Sequence, residues 1–124
     1  MGGGGGWGRI AGGWAGGVGG VGKWYASEVY FEWDPEKATR NIGKHKVSFN
    51  EAATIFEDPL SFTVPDPDHS EEERRLITFG TSTQGRLLMV AHTERGDRLR
   101  LISARTLTRS ERKAYEEEIS RRRR

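Results

Sequence analysis

The chain has 124 residues, enough for one small domain with a single core. It has no cysteine, which excludes a disulfide framework and any Cys-based zinc site, and no apolar run approaches a bilayer span or a signal-peptide core. The net charge of +2 divides into +2 on residues 1–27, −4 on 28–120 and +4 on 121–124. A mildly acidic body must therefore bind nucleic acid through local clusters rather than overall charge.

Residues 1–27 hold 13 of the 17 glycines, with Trp7, Trp14 and Trp24 scattered among them. Such a stretch buries too little apolar surface to offset its ordering entropy. It is expected to lie outside the fold, either as an extension from a start placed too early or as a flexible Gly/Trp arm that stacks on RNA. The single domain is expected over residues 28–120, with Arg121–Arg124 as a basic tail. Val29–Trp33 alternates and is aromatic-rich, so it reads as a short strand. Asp34-Pro35 opens a helix to about Lys44, with Ala38, Ile42 and His45 on its apolar side. Ser48-Phe49-Asn50-Glu51 is a capping box, with Val47 and Ala52 as its hydrophobic staple, and it opens a second short helix that Asp58-Pro59 ends.

Leu60, Phe62 and Val64 alternate as a strand. Pro65–Glu73 is a loop by composition. Arg75–Thr81, Arg86–Glu94 and Arg98–Arg105 read as three further strands, the last two joined at Gly96-Asp97. Thr108-Arg109-Ser110-Glu111 is another capping box and starts a polar helix to about Ser120, anchored by Ala114, Tyr115 and Ile119. The order β-α-α-β-β-β-β-α predicts an α+β domain: two N-terminal helices on one face of an antiparallel meander, a C-terminal helix, and a sheet face left partly open for a substrate.

The stretch His92–Arg105 holds one histidine, one glutamate and four arginines, more cation than a half-buried strand pair needs. RNA phosphates and a developing phosphorane are what guanidinium groups bind well. Metal-free RNA cleavage requires a base for the 2′-hydroxyl, an acid for the leaving 5′-oxygen and cations for the extra charge. His92 and Glu94, two apart on a strand, are candidates for proton transfer. Arg98 and Arg100 share a face of the next strand, and Glu94 and Arg98 are expected to lie close across the ladder, where the bland alternative is a weak salt bridge. Arg105 could reach a phosphate beside the last helix, or pair with Glu111. His45 at a helix end fits a packing role as well as a functional one, and Lys44 fits a solvated one. Tyr115 either docks its helix or stacks on a base. Asp66, Asp68 and His69 have metal-ligand types, but their setting reads as an acidic loop, and no metal or other cofactor is expected.

Trp33-Asp34-Pro35-Glu36-Lys37-Ala38, Asn41, Lys44-His45-Lys46-Val47-Ser48-Phe49, Phe56-Glu57-Asp58-Pro59, Asp66-Pro67-Asp68-His69-Ser70, His92–Asp97, Ile102-Ser103-Ala104-Arg105 and Glu111-Arg112 together resemble the BrnT toxins of BrnT/BrnA type II toxin–antitoxin pairs. The likeness covers about residues 30–117. A glycine commonly follows the histidine where Lys46 stands. The resemblance implies a small RelE-like fold and a cytoplasmic bacterial endoribonuclease that stops translation. It also implies neutralisation by a BrnA antitoxin, typically a ribbon-helix-helix protein, in a heterotetramer that reaches promoter DNA only through the antitoxin, with no membrane involved. The match at Ile102-Ser103-Ala104-Arg105 favours a functional Arg105 and raises Lys44 and His45. With the residue chemistry above, the expected catalytic residues are Arg105, His92, Glu94 and Arg98, and the expected RNA-binding residues Arg100, Arg95, Lys44, His45 and Tyr115. The alternatives are a non-catalytic RNA- or partner-binding module of the same fold, and a toxin that has lost activity, which would not arrest growth.

Overall fold

The computed structural model of the protein describes residues 14–16, 21–24, 29–67, 74–96 and 98–123. Its elements run β1 (Trp14–Gly16), β2 (Val21–Trp24), β3 (Val29–Glu32), α1 (Pro35–His45), α2 (Phe49–Ala53) with a 3-10 turn over Thr54–Glu57, β4 (Phe62–Pro65), β5 (Arg75–Thr81), β6 (Leu87–Arg95), β7 (Arg98–Thr106) and α3 (Arg109–Arg122). This is an α+β fold. No described helix is long and apolar enough to cross a membrane.

Strands β3 to β7 form a mixed sheet in the order β3-β7-β6-β5-β4, and β1 and β2 extend it beyond β3. The sheet is not wholly antiparallel: β3 pairs parallel with β7, Phe31 opposite Leu99 and Glu32 opposite Arg100. The chain leaves β3 through the helices, enters the sheet at the far edge, and returns strand by strand until β7 meets β3. The sequence reading places residues 1–27 outside the fold, whereas β2 pairs with β3 through Trp24↔Val29 and β1 with β2 through Trp14↔Trp24. Such pairing uses backbone groups alone, which a glycine-rich segment supplies as well as any other.

Helix α1 starts as its sequence dictates. Asp34 accepts the Glu36 N–H at 2.9 Å, and Pro35 occupies the first turn. It ends at Lys46, whose φ of 61° is left-handed and whose N–H bonds Ile42 O at 2.9 Å. A left-handed lysine costs about 1 kcal/mol relative to glycine at such a helix end. The helix is rotated from the expected orientation: Ala38 and Asn41 are buried, while Ile42 is 48 % exposed. The reason lies across the interface. Strand β3 stops opposite Arg100, so the outer backbone groups of Ala104 on β7 have no strand partner. The Asn41 amide replaces it, donating to Ala104 O at 2.8 Å and to Val47 O at 2.9 Å and accepting the Ala104 N–H at 3.1 Å.

Ser48 caps α2 by accepting the Glu51 N–H at 3.0 Å, but Glu51 does not close the box. Its buried carboxylate binds Arg86 and accepts the Ser82 hydroxyl at 2.7 Å. An ion pair with a guanidinium outweighs a cap on one backbone donor.

Alternation divides the sheet between two faces. Phe31, Leu88, Val90, Leu101 and Ala104 point toward α1 and α2 and form the core with Val47, Phe49, Ala52 and Ile55. The opposite face carries Phe62, Phe79, Met89 and Arg105 along one set of register partners. Helix α3 lies on this second face, where Tyr115 stacks on Phe62 with ring centres 5.7 Å apart. The helices are therefore split between the two faces rather than gathered on one. Helix α3 continues through Arg122, past the expected end at Ser120, because Arg121 and Arg122 both pair with Glu118 and Arg122 lies 4.5 Å over the Phe62 ring.

Candidate nucleic-acid interface

Strand β7 positions the arginines. Arg98 and Arg100 point away from the core, as Leu99 and Leu101 between and beside them point into it. Arg105 is five residues beyond Arg100, an odd separation that strict alternation would send to the opposite face. The register shift prevents this. His92 pairs with Leu101, yet the preceding Ala91 pairs with Ser103, so Ile102 is an extra residue in a β-bulge. Arg98, Arg100, Ser103 and Arg105 consequently share the face away from α1 and α2. Arg100 and Arg105 are separated by roughly 13 Å along the strand.

Each arginine is held by a carboxylate. Arg105 makes a two-pronged contact with Glu111, 2.9 Å from each nitrogen, and also donates to Thr106 O. Glu111 accepts the Thr108 N–H as well, completing a full capping box on α3. The Arg105 hydrogen bond, with the Thr108 backbone and charge effects behind it, holds the Glu111 carboxyl down at about 2. At the other end Glu32 receives Arg98 on one oxygen at 3.1 Å and Arg100 on the other at 3.0 Å. Burial pushes the Glu32 carboxyl up, but the bonds and charges of Arg100 and Arg98 outweigh it and leave it below the ordinary range. The Arg105–Glu111 pair is neutral; the Glu32 cluster carries one uncompensated positive charge.

The remaining expected site residues are not gathered here. His92 points to the core face and is 2 % exposed, its Nε2 bonded to Thr78 Oγ1 at 2.7 Å and its ring against Phe56 at 5.2 Å. Burial pushes its pKa down to about 4, so it is neutral at physiological pH. Glu94 is exposed near the end of the interior strand β6 and pairs with Leu99, while Arg98 pairs with Arg95. The two-residue turn, with Gly96 at φ 64°, sets this register and puts Glu94 and Arg98 on opposite faces. The Arg95 side chain, Asp97, and Asp68-His69 of the acidic loop lie outside the described residues. Lys44 is exposed and His45 half-buried at the end of α1, with the sheet between them and the arginines. Tyr115 is committed to Phe62, and the surface around it forms an apolar hollow of about 310 Å³ lined also by Val64, Phe79 and Ala114.

Sequence reading missed Glu32. Its partners are 66 and 68 positions away, so no local spacing reveals it. The available signal was one acid in an otherwise apolar and aromatic strand, Val29-Tyr30-Phe31-Glu32-Trp33. Thr93 was also missed: it is 3 % exposed, pairs with Arg100 on the outer face, and its Oγ1 has no hydrogen-bond partner among the described residues.

Comparison with known proteins matches residues 33–111 to the family described as the ribonuclease toxin BrnT of type II toxin–antitoxin systems. Among solved structures, the chain is similar to the ribonuclease toxin BrnT of Brucella abortus. The two are 28 % identical with a TM-score of 0.50, over 62 % of this chain and 94 % of the other. No curated protein matches.

Proposed function

The chain belongs to the BrnT family of ribonuclease toxins of type II toxin–antitoxin systems, and from that premise we propose that it is a metal-independent endoribonuclease whose substrate lies along the outer face of β7. The supporting observation is the bulge at Ile102, which aligns Arg98, Arg100 and Arg105 on one surface. Guanidinium groups in a row suit a phosphodiester backbone, because each offers several donors in a fixed plane and remains charged at any working pH. Arg98 and Arg100 bind the phosphate and stabilise the phosphorane. Arg105 binds a second phosphate and anchors the start of α3. Buried and neutral, His92 takes no part in proton transfer. The partner is a BrnA-like ribbon-helix-helix antitoxin, which assembles with the toxin as a heterotetramer and brings it to promoter DNA.

Purified protein is expected to cut a labelled transcript in the presence of EDTA. Arg105→Ala is expected to lose most of that activity while staying folded, since an exposed pair such as Arg105–Glu111 contributes about 1 kcal/mol or less. Full cleavage by the variant would remove Arg105 from the site. The separation of His92 and Glu94 from the arginines favours one other reading, an RNA-binding module without catalysis. A gel shift of the transcript without fragments would support it.

A further inference from the structure

Resting on the ribonuclease reading above, we propose that the Glu32 carboxylate is the general base for 2′-hydroxyl attack, acting on a phosphate seated over Arg98, Arg100 and Thr93. Register places Glu32, Arg100, Thr93 and Arg75 opposite one another on four neighbouring strands, all on the outer face. Successive members are about 4.8 Å apart, so the row spans the width of a nucleotide and its flanking phosphate. Two guanidinium groups on one carboxylate leave a net positive charge for an anion. The unpartnered, buried Thr93 hydroxyl offers one further donor to a non-bridging oxygen. No other carboxylate touches Arg98 or Arg100 among the described residues.

The arrangement also gives the base its timing. In the resting state Arg98 and Arg100 hold Glu32 ionised. As charge grows on the phosphorane, the same guanidinium groups turn toward its oxygens, and the carboxylate becomes more basic when it must accept a proton. Glu32 takes the 2′-hydroxyl proton, the 2′-oxygen bonds to phosphorus, and the bond from phosphorus to the 5′-oxygen breaks. The leaving oxygen takes a proton from water, and the hydroxide so formed recovers the proton from Glu32. The products are a 2′,3′-cyclic phosphate and a 5′-hydroxyl end.

The test measures cleavage of a labelled single-stranded RNA, and binding of a 2′-O-methylated copy that cannot be cut, by the full chain and its Glu32→Gln variant. Cleavage is expected to fall about 100-fold or more. Binding should stay the same or tighten, because one negative charge has left a phosphate site. Cleavage within about threefold of wild type overturns the assignment, as does a parallel loss of binding and cleavage, which would make Glu32 a positioning residue only. If Glu32→Gln does not fold, the wild-type pH profile decides: cleavage per folded molecule stays flat from about pH 7.5 to 5.5, and a fall within that range overturns the carboxylate. A wild type that binds RNA but never cuts it refutes the ribonuclease reading itself, and this proposal with it. A wild type that cuts beside a Glu32→Gln variant that cuts equally refutes this proposal alone.

Discussion

His92 shows how burial changes a residue's chemistry. A histidine beside a glutamate and several arginines suggests proton transfer, but Phe56 and the core enclose this one and its proton affinity falls to about 4. The same shift links it to stability. An unfolded histidine titrates near 6.5, so between that pH and about 4 the unfolded chain binds the extra proton and the folded chain does not. The contribution of neutral His92 is fully present above pH 6.5 and is lost as pH falls toward 4, by up to about 3 kcal/mol. The lowered carboxylates Glu32, Glu51 and Glu111 act mainly below this window. Thermal melts from pH 7 to 4.5 are expected to show a Tm fall on the order of 10 °C in wild type and a distinctly shallower fall in His92→Gln. Equal slopes would mean that His92 is not the buried neutral group described. RNA cleavage by His92→Gln is expected to persist.

Helix α3 is the element with the weakest hold. None of its residues is buried. It is attached by the Tyr115–Phe62 stack, by Arg122 over the same ring, and by Glu111 on Arg105. Tyr115→Ala is expected to speed amide exchange throughout α3 while β6 and β7 keep their protection, at a cost to global stability of about 1–2 kcal/mol. Uniformly faster exchange would show α3 to be integral to the core. The start of this helix was legible because its signal is local: Thr108 and Glu111 lie within one turn of the chain and satisfy each other. Asp34-Pro35 and Ser48 mark their helix starts for the same reason. Non-local features left no such mark. The parallel pairing of β3 with β7 depends on where the chain returns, and the inward turn of Asn41 depends on β3 ending opposite Arg100. The bulge at Ile102 depends on the register of β6. Since that bulge aligns the arginines, the cluster of arginines could be read from the chain while its arrangement, and the contact of Glu32 with Arg98 and Arg100, could not.

Across the whole molecule the sheet acts as a partition. On one side α1 and α2 close a dry core around Phe31, Leu88, Val90 and Leu101. On the other, α3 covers the β4–β5 end through Phe62 and Phe79, and the β3–β7 end presents Arg98 and Arg100 on the buried Glu32 carboxylate. On the proposed reading, an acidic body holds a nucleic acid through charge concentrated on one strand rather than spread over the surface. The central claim is that RNA binds this outer face. The most direct measurement is a titration of the protein with non-cleavable single-stranded RNA, following the arginine side-chain N–H resonances by NMR. Arg98, Arg100 and Arg105 are expected to shift together, with the effect weakening as salt is raised. Resonances of these three arginines that stay fixed while those around Lys44 and His45 move would place the RNA on the opposite side of the sheet and contradict the account.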